Sequence, residues 1–457
     1  MIPFLALFVC LAGVVWLLSQ DVKERPTVSA AAWIVVAWAV LYASRPVTSW
    51  FVDPVASLSP ESYDEGHVGE ATINLALIVA AAIVLGRRRI PWRGVIEANA
   101  WLFVVYLFWL QSVLWSDAPI ITLKRLFKDL GNVAMVLVVL TDRNAVDAIK
   151  AVCVRCAYVC IPLSVVLIRY YPSFGRSFIG YKQDQMSFVG VTENKNTLGM
   201  LAMVTAIVLL WDLLERRGSQ GSGTKPLTTA ARLFVLMAGW YLLGIADSAT
   251  SLVCAVFGSA LLLALGLPHL RRRPARAEAW GVSALLTVWA LDSGLGLHRA
   301  FVESLGRDTS LTTRTEMWPV LLGFQDHPLV GAGFSTFWSG RRLVEIGQRF
   351  GNVVIQAHNG YLDTYLNGGL VGVGLLLVLL CVSYRRIRER LALGASDARV
   401  RLTLLCVAIV HNWTEATFYK LGLLWFVTVF AIMDYRGPAS AAAPAGPRDR
   451  PVEAVSP

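Results

Sequence analysis

Three imidazoles and several guanidinium groups crowd into a single polar interval between apolar segments, residues 297–360. It carries Arg314, Glu316 and Trp318, then His327 and the run Val330-Gly331-Ala332-Gly333-Phe334. Arg341 and Arg342 follow, and it closes on Ala357-His358-Asn359-Gly360-Tyr361-Leu362. Arg forks match phosphate oxygens, and they would stabilise the charge that grows on a departing diphosphate. Imidazole is the side chain best suited to moving a proton near neutral pH.

His358 is the leading candidate for proton transfer. It stands where the polar interval ends and an apolar helix beginning near Tyr361 takes over, and the positive end of that helix disfavours imidazolium there. A plain hydrogen-bonding cap is the competing reading. Arg314 is the leading cation. Thr313 and Glu316 have capping-box spacing, so Arg314 falls in the first turn of a helix, where free N–H groups also favour an anion. A solvated first-turn Arg is its alternative. His327 and His411 are weaker candidates.

Further cations cluster on the same side of the chain's alternating pattern: Lys124, Arg125 and Lys128; Arg169, Arg176, Lys182 and Lys195; Arg299, Arg307, Arg341, Arg342 and Arg349. Contact with lipid headgroups would account for most of them; a shared anion site is the sharper reading. The stretch Phe188–Gly199 places Asn194, Lys195 and Asn196 at a helix entrance, where they cap that helix or join the site. Asp247-Ser248-Ala249-Thr250-Ser251 reads as a hairpin, and His411-Asn412-Trp413-Thr414-Glu415 completes the set. Arg155, about two turns into an apolar span, is expected to snorkel toward the inner surface.

The elements that must hold these residues are membrane helices. Hydrophobic residues make up 56% of the chain and charged ones 16%, with mean hydropathy +0.57. Apolar runs of about 15–20 residues recur, close to the length a helix needs to cross ~30 Å of hydrocarbon. They lack the alternating polarity of barrel strands. The fold class is all-α, a polytopic integral membrane protein with 12–13 transmembrane helices and one long outer loop containing short helices. The thirteen spans read are 3–20, 27–44, 70–86, 98–116, 126–141, 148–168, 196–214, 231–246, 248–268, 280–297, 360–384, 401–416 and 420–435. Ten therefore precede a loop at 298–359, three lie in 360–436, and 437–457 is a disordered inner tail.

With the N-terminus outside, the runs Arg87-Arg88-Arg89, Arg216-Arg217, Arg271-Arg272-Arg273 and Arg385-Arg386 fall inside, as the positive-inside rule asks. The fifth span is the exception, because Lys124, Arg125 and Lys128 crowd its outer end. If it lay flat on the surface the count would be twelve. Met1–Gln20 lacks a basic start and a small-residue cleavage site, and reads as a retained helix. The seven cysteines all fall in or beside apolar spans and read as small apolar filler rather than metal ligands. The net charge of +10 follows from topology and needs no nucleic acid.

Taken together, these segments resemble the O-antigen ligase and exopolysaccharide/O-antigen polymerase superfamily of bacterial inner membranes. The matching stretches are Gly190–Gly199, Arg314-x3-Trp318, His327–Phe334 and His358-Asn359-Gly360-Tyr361-Leu362 followed by Gly368-Gly369-Leu370-Val371-Gly372, over roughly residues 100–435. The resemblance implies an inverting, metal-independent glycosyltransferase that needs no cofactor and no nucleotide sugar. The donor would be a glycan on undecaprenyl diphosphate at the periplasmic face. The acceptor would be a hydroxyl of another glycan or of lipid A-core. His358 falls on the family's essential His and Arg314 on its diphosphate-binding Arg. Asn194, Asn196, Glu316, Asn359, Tyr361 and Asp363 are expected in support. Many members carry a cation in the hairpin where this chain has Ala249, and Lys195, Arg176 or Arg125 could supply that charge. A transporter of lipid-linked glycan without chemistry is the alternative, although no repeat symmetry is evident.

Overall fold

The computed structural model describes residues 1–51, 68–177, 186–218, 226–268, 270, 312–350 and 354–435. The expected span 280–297, together with Lys182, Arg299, Arg307 and the 437–457 tail, lies outside the described residues. The fold is all-α, with, among the described residues, one two-stranded ladder in which Arg176 pairs with Phe188 and Ser177 with Ser187.

The helices follow the apolar runs: α1 Ile2–Glu24, α2 Ala32–Ala43, α3 Val68–Arg87, α4 Trp92–Ala98, α5 Ala100–Gln111, α6 Pro119–Leu140 and α7 Ala145–Tyr170. Then come α8 Lys195–Gly218, α9 Pro226–Ile245, α10 Ala249–Ala264, α11 Thr312–Gly323, α12 Gly340–Phe350, α13 Gly360–Ala392, α14 Ala398–His411 and α15 Leu423–Ile432. Among the described residues six helices are long and apolar enough to cross a membrane, or seven if the pair 92–98 and 100–114, bent by 87°, is one span. Three more, α2, α10 and α15, are apolar but hold only 10–17 residues. At 1.5 Å per residue these reach about 15–25 Å, short of the hydrocarbon thickness on their own.

The fifth expected span falls in a 22-residue helix, α6, which begins at Pro119 rather than near 126 and is not among the helices long and apolar enough to cross a membrane. Its second half, Met135–Leu140, is buried, and α6 packs on α2, α3, α7 and α15. Contacts sort the helix ends into two layers. One layer, here the basic end, joins Arg88 to Val138 and Thr141, Arg25 to Asp212 and Arg399 to Leu262. The opposite layer, the loop end, joins Arg125 to Ser335, Lys195 to Asp247 and Thr250 to Thr414. This alternation matches antiparallel helices linked by short connections.

Arg155 departs from its expected behaviour. Rather than snorkelling to a surface it is buried, with Nε donating to Asp21 Oδ2 at 2.7 Å and its guanidinium 4.6 Å from the Trp33 ring. A carboxylate brought in by α1 removes the need to reach water. The cysteines are unpaired, and Cys153, Cys156 and Cys160 are buried together along α7.

A break in α13 organises the loop end. Gly369 takes φ 62°, ψ −163°, which interrupts the helix and frees backbone groups on either side. The segment 328–333 fills them. Ala332 and Gly333 donate to the carbonyls of Leu366 and Asn367 at 3.1 and 2.9 Å, and Leu370 and Val371 donate to Pro328 and Leu329 at 2.9 and 3.0 Å. Only glycine tolerates that approach. A Cβ on Gly369 would sit 2.2 Å from the Leu329 carbonyl carbon, and one on Gly331 2.2 Å from that of Asn367. The two glycine motifs of the sequence are thus halves of one backbone junction, which fastens the long loop into a membrane helix.

Candidate functional site

His358 is the last residue but one before α13, held at φ 49° in the left-handed region. Each neighbour in its motif fixes it. Asn359 caps α13, its Oδ1 accepting from the N–H of Tyr361 and Leu362 at 3.0 Å each. Such a cap contributes about 1 kcal/mol. Gly360 donates its N–H to the Asn412 carbonyl at 2.8 Å, and a Cβ there would meet the Asn412 side chain at 2.1 Å. Tyr361 Oη donates to the Ile409 carbonyl at 3.0 Å. Asp363 is a hub: Oδ1 accepts from Trp338 Nε1 at 2.9 Å and Ala357 N at 3.0 Å, while Oδ2 pairs with Lys420 at 3.1 Å.

The imidazole faces a carboxylate. His358 Nδ1 lies 3.4 Å from Glu415 Oε2, and Gln356 Nε2 approaches the same nitrogen at 3.4 Å. Asn196 Nδ2 donates to Glu415 Oε1 at 3.1 Å. The two contacts ask opposite tautomers of the ring: the Gln356 amide donates to a bare Nδ1, whereas the Glu415 carboxylate accepts from a protonated one, and it is the tautomer matched to Glu415 that leaves Nε2 with its lone pair. A contact of 3.4 Å is long, as hydrogen bonds at substrate-free sites often are.

Beside this pair opens a cavity of about 450 Å³ between the loop-end halves of α2, α3, α6, α8 and α15. Gln356 and Glu415 stand at its rim with Asn194 and Asn196; Arg125, Lys128 and Lys420 bring positive charge, and Glu70, Asp129 and Glu193 negative. Its floor is ordered by Asp129, which accepts from Tyr106 Oη at 2.7 Å, Trp425 Nε1 at 2.9 Å and Asn132 Nδ2 at 3.1 Å. Asp129 is the eleventh residue of α6, so the cavity sinks roughly 15 Å from that helix's start.

The expected residues divide. Arg314 is the third residue of α11; its side chain lies outside the described residues. Trp318, one turn later, donates Nε1 to the Ala357 carbonyl at 2.9 Å, which fastens α11 beside His358. Among the described residues the helix runs from Thr312, which puts Thr313, the expected cap, inside it. Glu316 is exposed. Asn194 caps α8 through Thr197 N at 3.0 Å. Lys195 pairs with Asp247 at 2.8 Å and so brings its charge to the hairpin that contains Ala249. Arg125 reaches the Ser335 carbonyl and lines the cavity. Arg176 does not join them: Nε donates to the Ile168 carbonyl at 3.1 Å, and the guanidinium lies 5.7 Å from the Phe188 ring. Arg342 is held by Asp117 and Asp326 at 3.1 Å each, and Arg341 and Arg349 lie exposed on α12.

Several contributors were not singled out from sequence. Glu415 and Asn412 appeared only as part of a polar run. Arg45 is buried and donates to the carbonyls of Gly190 at 2.8 Å and Thr192 at 3.0 Å, which shapes the 189–194 approach to α8. An Arg at the very end of an apolar run was its one signal.

Residues 186–377 match the family model described as O-antigen ligase. A relative in Rhizobium meliloti (strain 1021), the exopolysaccharide production protein ExoQ, is 26% identical over 304 residues. That alignment covers 62% of this chain and 64% of the relative, so this chain spans less than two thirds of that protein's length. The resemblance read from the His, Arg and Gly motifs is borne out.

Proposed function

For a membrane-spanning chain with an O-antigen ligase domain, we propose a glycosyltransferase of bacterial surface polysaccharide synthesis. It moves a glycan from undecaprenyl diphosphate to an acceptor hydroxyl, with the loop end at the periplasmic face of the inner membrane. The observation that carries this reading is the pairing of His358 with Glu415, which lines a cavity, beside the helix that bears Arg314.

His358 Nε2 takes the proton of the acceptor hydroxyl as its oxygen attacks the anomeric carbon. The bond from that carbon to the diphosphate oxygen breaks, and the electron pair leaves with the lipid diphosphate. Attack opposite the leaving group inverts the anomeric centre. Glu415 holds the imidazole and balances its positive charge. Arg314 neutralises charge on the diphosphate, a role that costs no reorganisation if its helix is already fixed. These side chains carry each step without a metal or other cofactor. The relative's name concerns exopolysaccharide production, which favours a glycan acceptor, and hence polymerisation, over lipid A-core.

Purified protein supplied with a lipid-diphosphate-linked glycan repeat tests the reading. Elongated glycan and free lipid diphosphate should appear together, with one lipid diphosphate released per glycosidic bond formed. A transporter would release neither, and would leave His358→Ala indistinguishable from wild type.

A further inference from the structure

The connection between α14 and α15 carries Glu415, and a side chain at its start, Asn412, closes it into a turn. Asn412 Oδ1 accepts from the N–H groups of Thr417 and Phe418 at 2.8 and 3.1 Å. Its Nδ2 donates to the Ala408 carbonyl and to Thr417 Oγ1 at 2.8 Å each. A side-chain amide has two donors and two acceptor sites, and all four are engaged here. Asn412 is fully buried and takes no part in the cavity wall, whereas Glu415 and Thr417 both line it.

The same residue holds the imidazole's side of the pair. Its main-chain carbonyl accepts from Gly360 N at 2.8 Å, and its side chain fills the space that a Cβ on Gly360 would need. Asn359 Nδ2 adds a bond to the Trp413 carbonyl at 3.1 Å. His358 keeps φ 49°, a left-handed conformation that a residue other than glycine holds only when its surroundings impose it. Upstream the restraint comes from Asp363, which accepts from Ala357 N at 3.0 Å. Downstream it comes from Asn359 and Asn412. His358 and Glu415 are 57 residues apart in the chain, and Asn412 is where the segments that bear them are referenced to each other.

We infer that Asn412 is a positioning residue of the transfer reaction, a buried amide that fixes where the Glu415 carboxylate stands relative to the His358 imidazole. The inference rests on the glycosyl-transfer reading and on His358 and Glu415 acting together in it. A base must lie within hydrogen-bond reach of the proton it takes, and a displacement of about 1 Å costs up to roughly 10²-fold in rate. A residue that only stabilises the fold is felt equally whether or not Glu415 can orient the ring. A positioning residue is felt only while the carboxylate is there to be positioned.

Initial rates per folded molecule separate the two roles, measured on purified full-length protein supplied with a lipid-diphosphate-linked glycan repeat. Asn412→Ala should lower kcat at least about tenfold and leave the donor KM within about twofold of wild type. In protein that already carries Glu415→Gln, the same substitution should cost less than about twofold. Thr417→Val keeps the side chain's size and removes only the hydroxyl that Asn412 engages. It should lower kcat by about two- to fivefold, and that loss should also vanish beside Glu415→Gln. Equal losses in the two backgrounds, or a raised KM with kcat intact, would overturn the inference. So would wild-type kcat in Asn412→Ala or, if that variant does not fold, in Thr417→Val. Failure of the underlying reading looks different: Glu415→Gln alone at the wild-type rate would break the pair, no transfer by the wild-type protein would break the transferase reading, and either result would take this inference with it.

Discussion

The two ends of the bundle treat charge in opposite ways. At the basic end, Asp21, Glu24 and Asp212 are enclosed by guanidinium groups. Asp212 meets Arg25 at 2.7 Å, Arg216 at 2.9 Å and Arg232 at 3.1 Å, and Asp21 meets Arg155 at 2.7 Å. Lys150 and Glu215 add a further pair at 2.5 Å. These side chains are almost all buried and face one another. At the loop end, acids and bases line a cavity, His358 and Glu415 stand 3.4 Å apart, and the ring of His411 has no hydrogen-bond partner among the described residues. Charge that is satisfied within the protein holds helices together; charge that faces a void is kept for something else. The contrast assigns α1, α7, α8 and α9 at the basic end to architecture and the α11–α13–α14 junction to chemistry.

Substitutions at the two ends should therefore fail in different currencies. The largest effect belongs to His358→Ala and Arg314→Ala, each expected to lower glycan transfer by roughly 10²–10⁴-fold with little change in melting temperature. Lipid-linked glycan should accumulate in cells that carry either variant. Next comes Asp212→Ala, which leaves several buried cations uncompensated and should cost about 3–5 kcal/mol of stability. Transfer per folded molecule should stay near wild type, measured as initial rate against the folded fraction. Transfer lost without loss of fold at Asp212 would erase the distinction between the ends.

Two smaller effects sharpen it. Asn359→Ala removes the cap of α13 and should cost about 1 kcal/mol, read as a modest thermal shift. Arg341 pairs with Glu345 on an exposed face at 2.8 Å, so Arg341→Ala should change stability by less than about 0.5 kcal/mol and leave transfer intact. A large transfer defect at Arg341 would mean that the loop cations act collectively rather than through Arg314.

What the sequence disclosed follows the same division. Helices announced themselves through apolar length, because burial in lipid demands a continuous run. α6 is the exception: it runs Pro119–Leu140 where 126–141 was expected, because its first turns carry Lys124, Arg125 and Lys128 and so do not read as apolar. The His358-Asn359-Gly360 motif was legible because cap, turn and helix start are local. Glu415 was not, since it reaches His358 only after α13 and α14 pack side by side. The pairing of Gly331 with Gly369 was hidden for a similar reason: each glycine reads alone as a turn, and only the interrupted helix makes them one junction. Arg176 misled because its side of the membrane was readable while its partner, a carbonyl of the preceding helix, was not.

In the proposed mechanism Glu415 and His358 act as one unit in taking the acceptor's proton. A double-mutant cycle on the transfer rate of purified protein, with Glu415→Gln, His358→Ala and the two combined, measures that coupling. The combined variant should be no slower than His358→Ala alone, because a carboxylate without its imidazole has nothing left to orient. Losses that multiply across the two positions would contradict it and leave Glu415 an independent role.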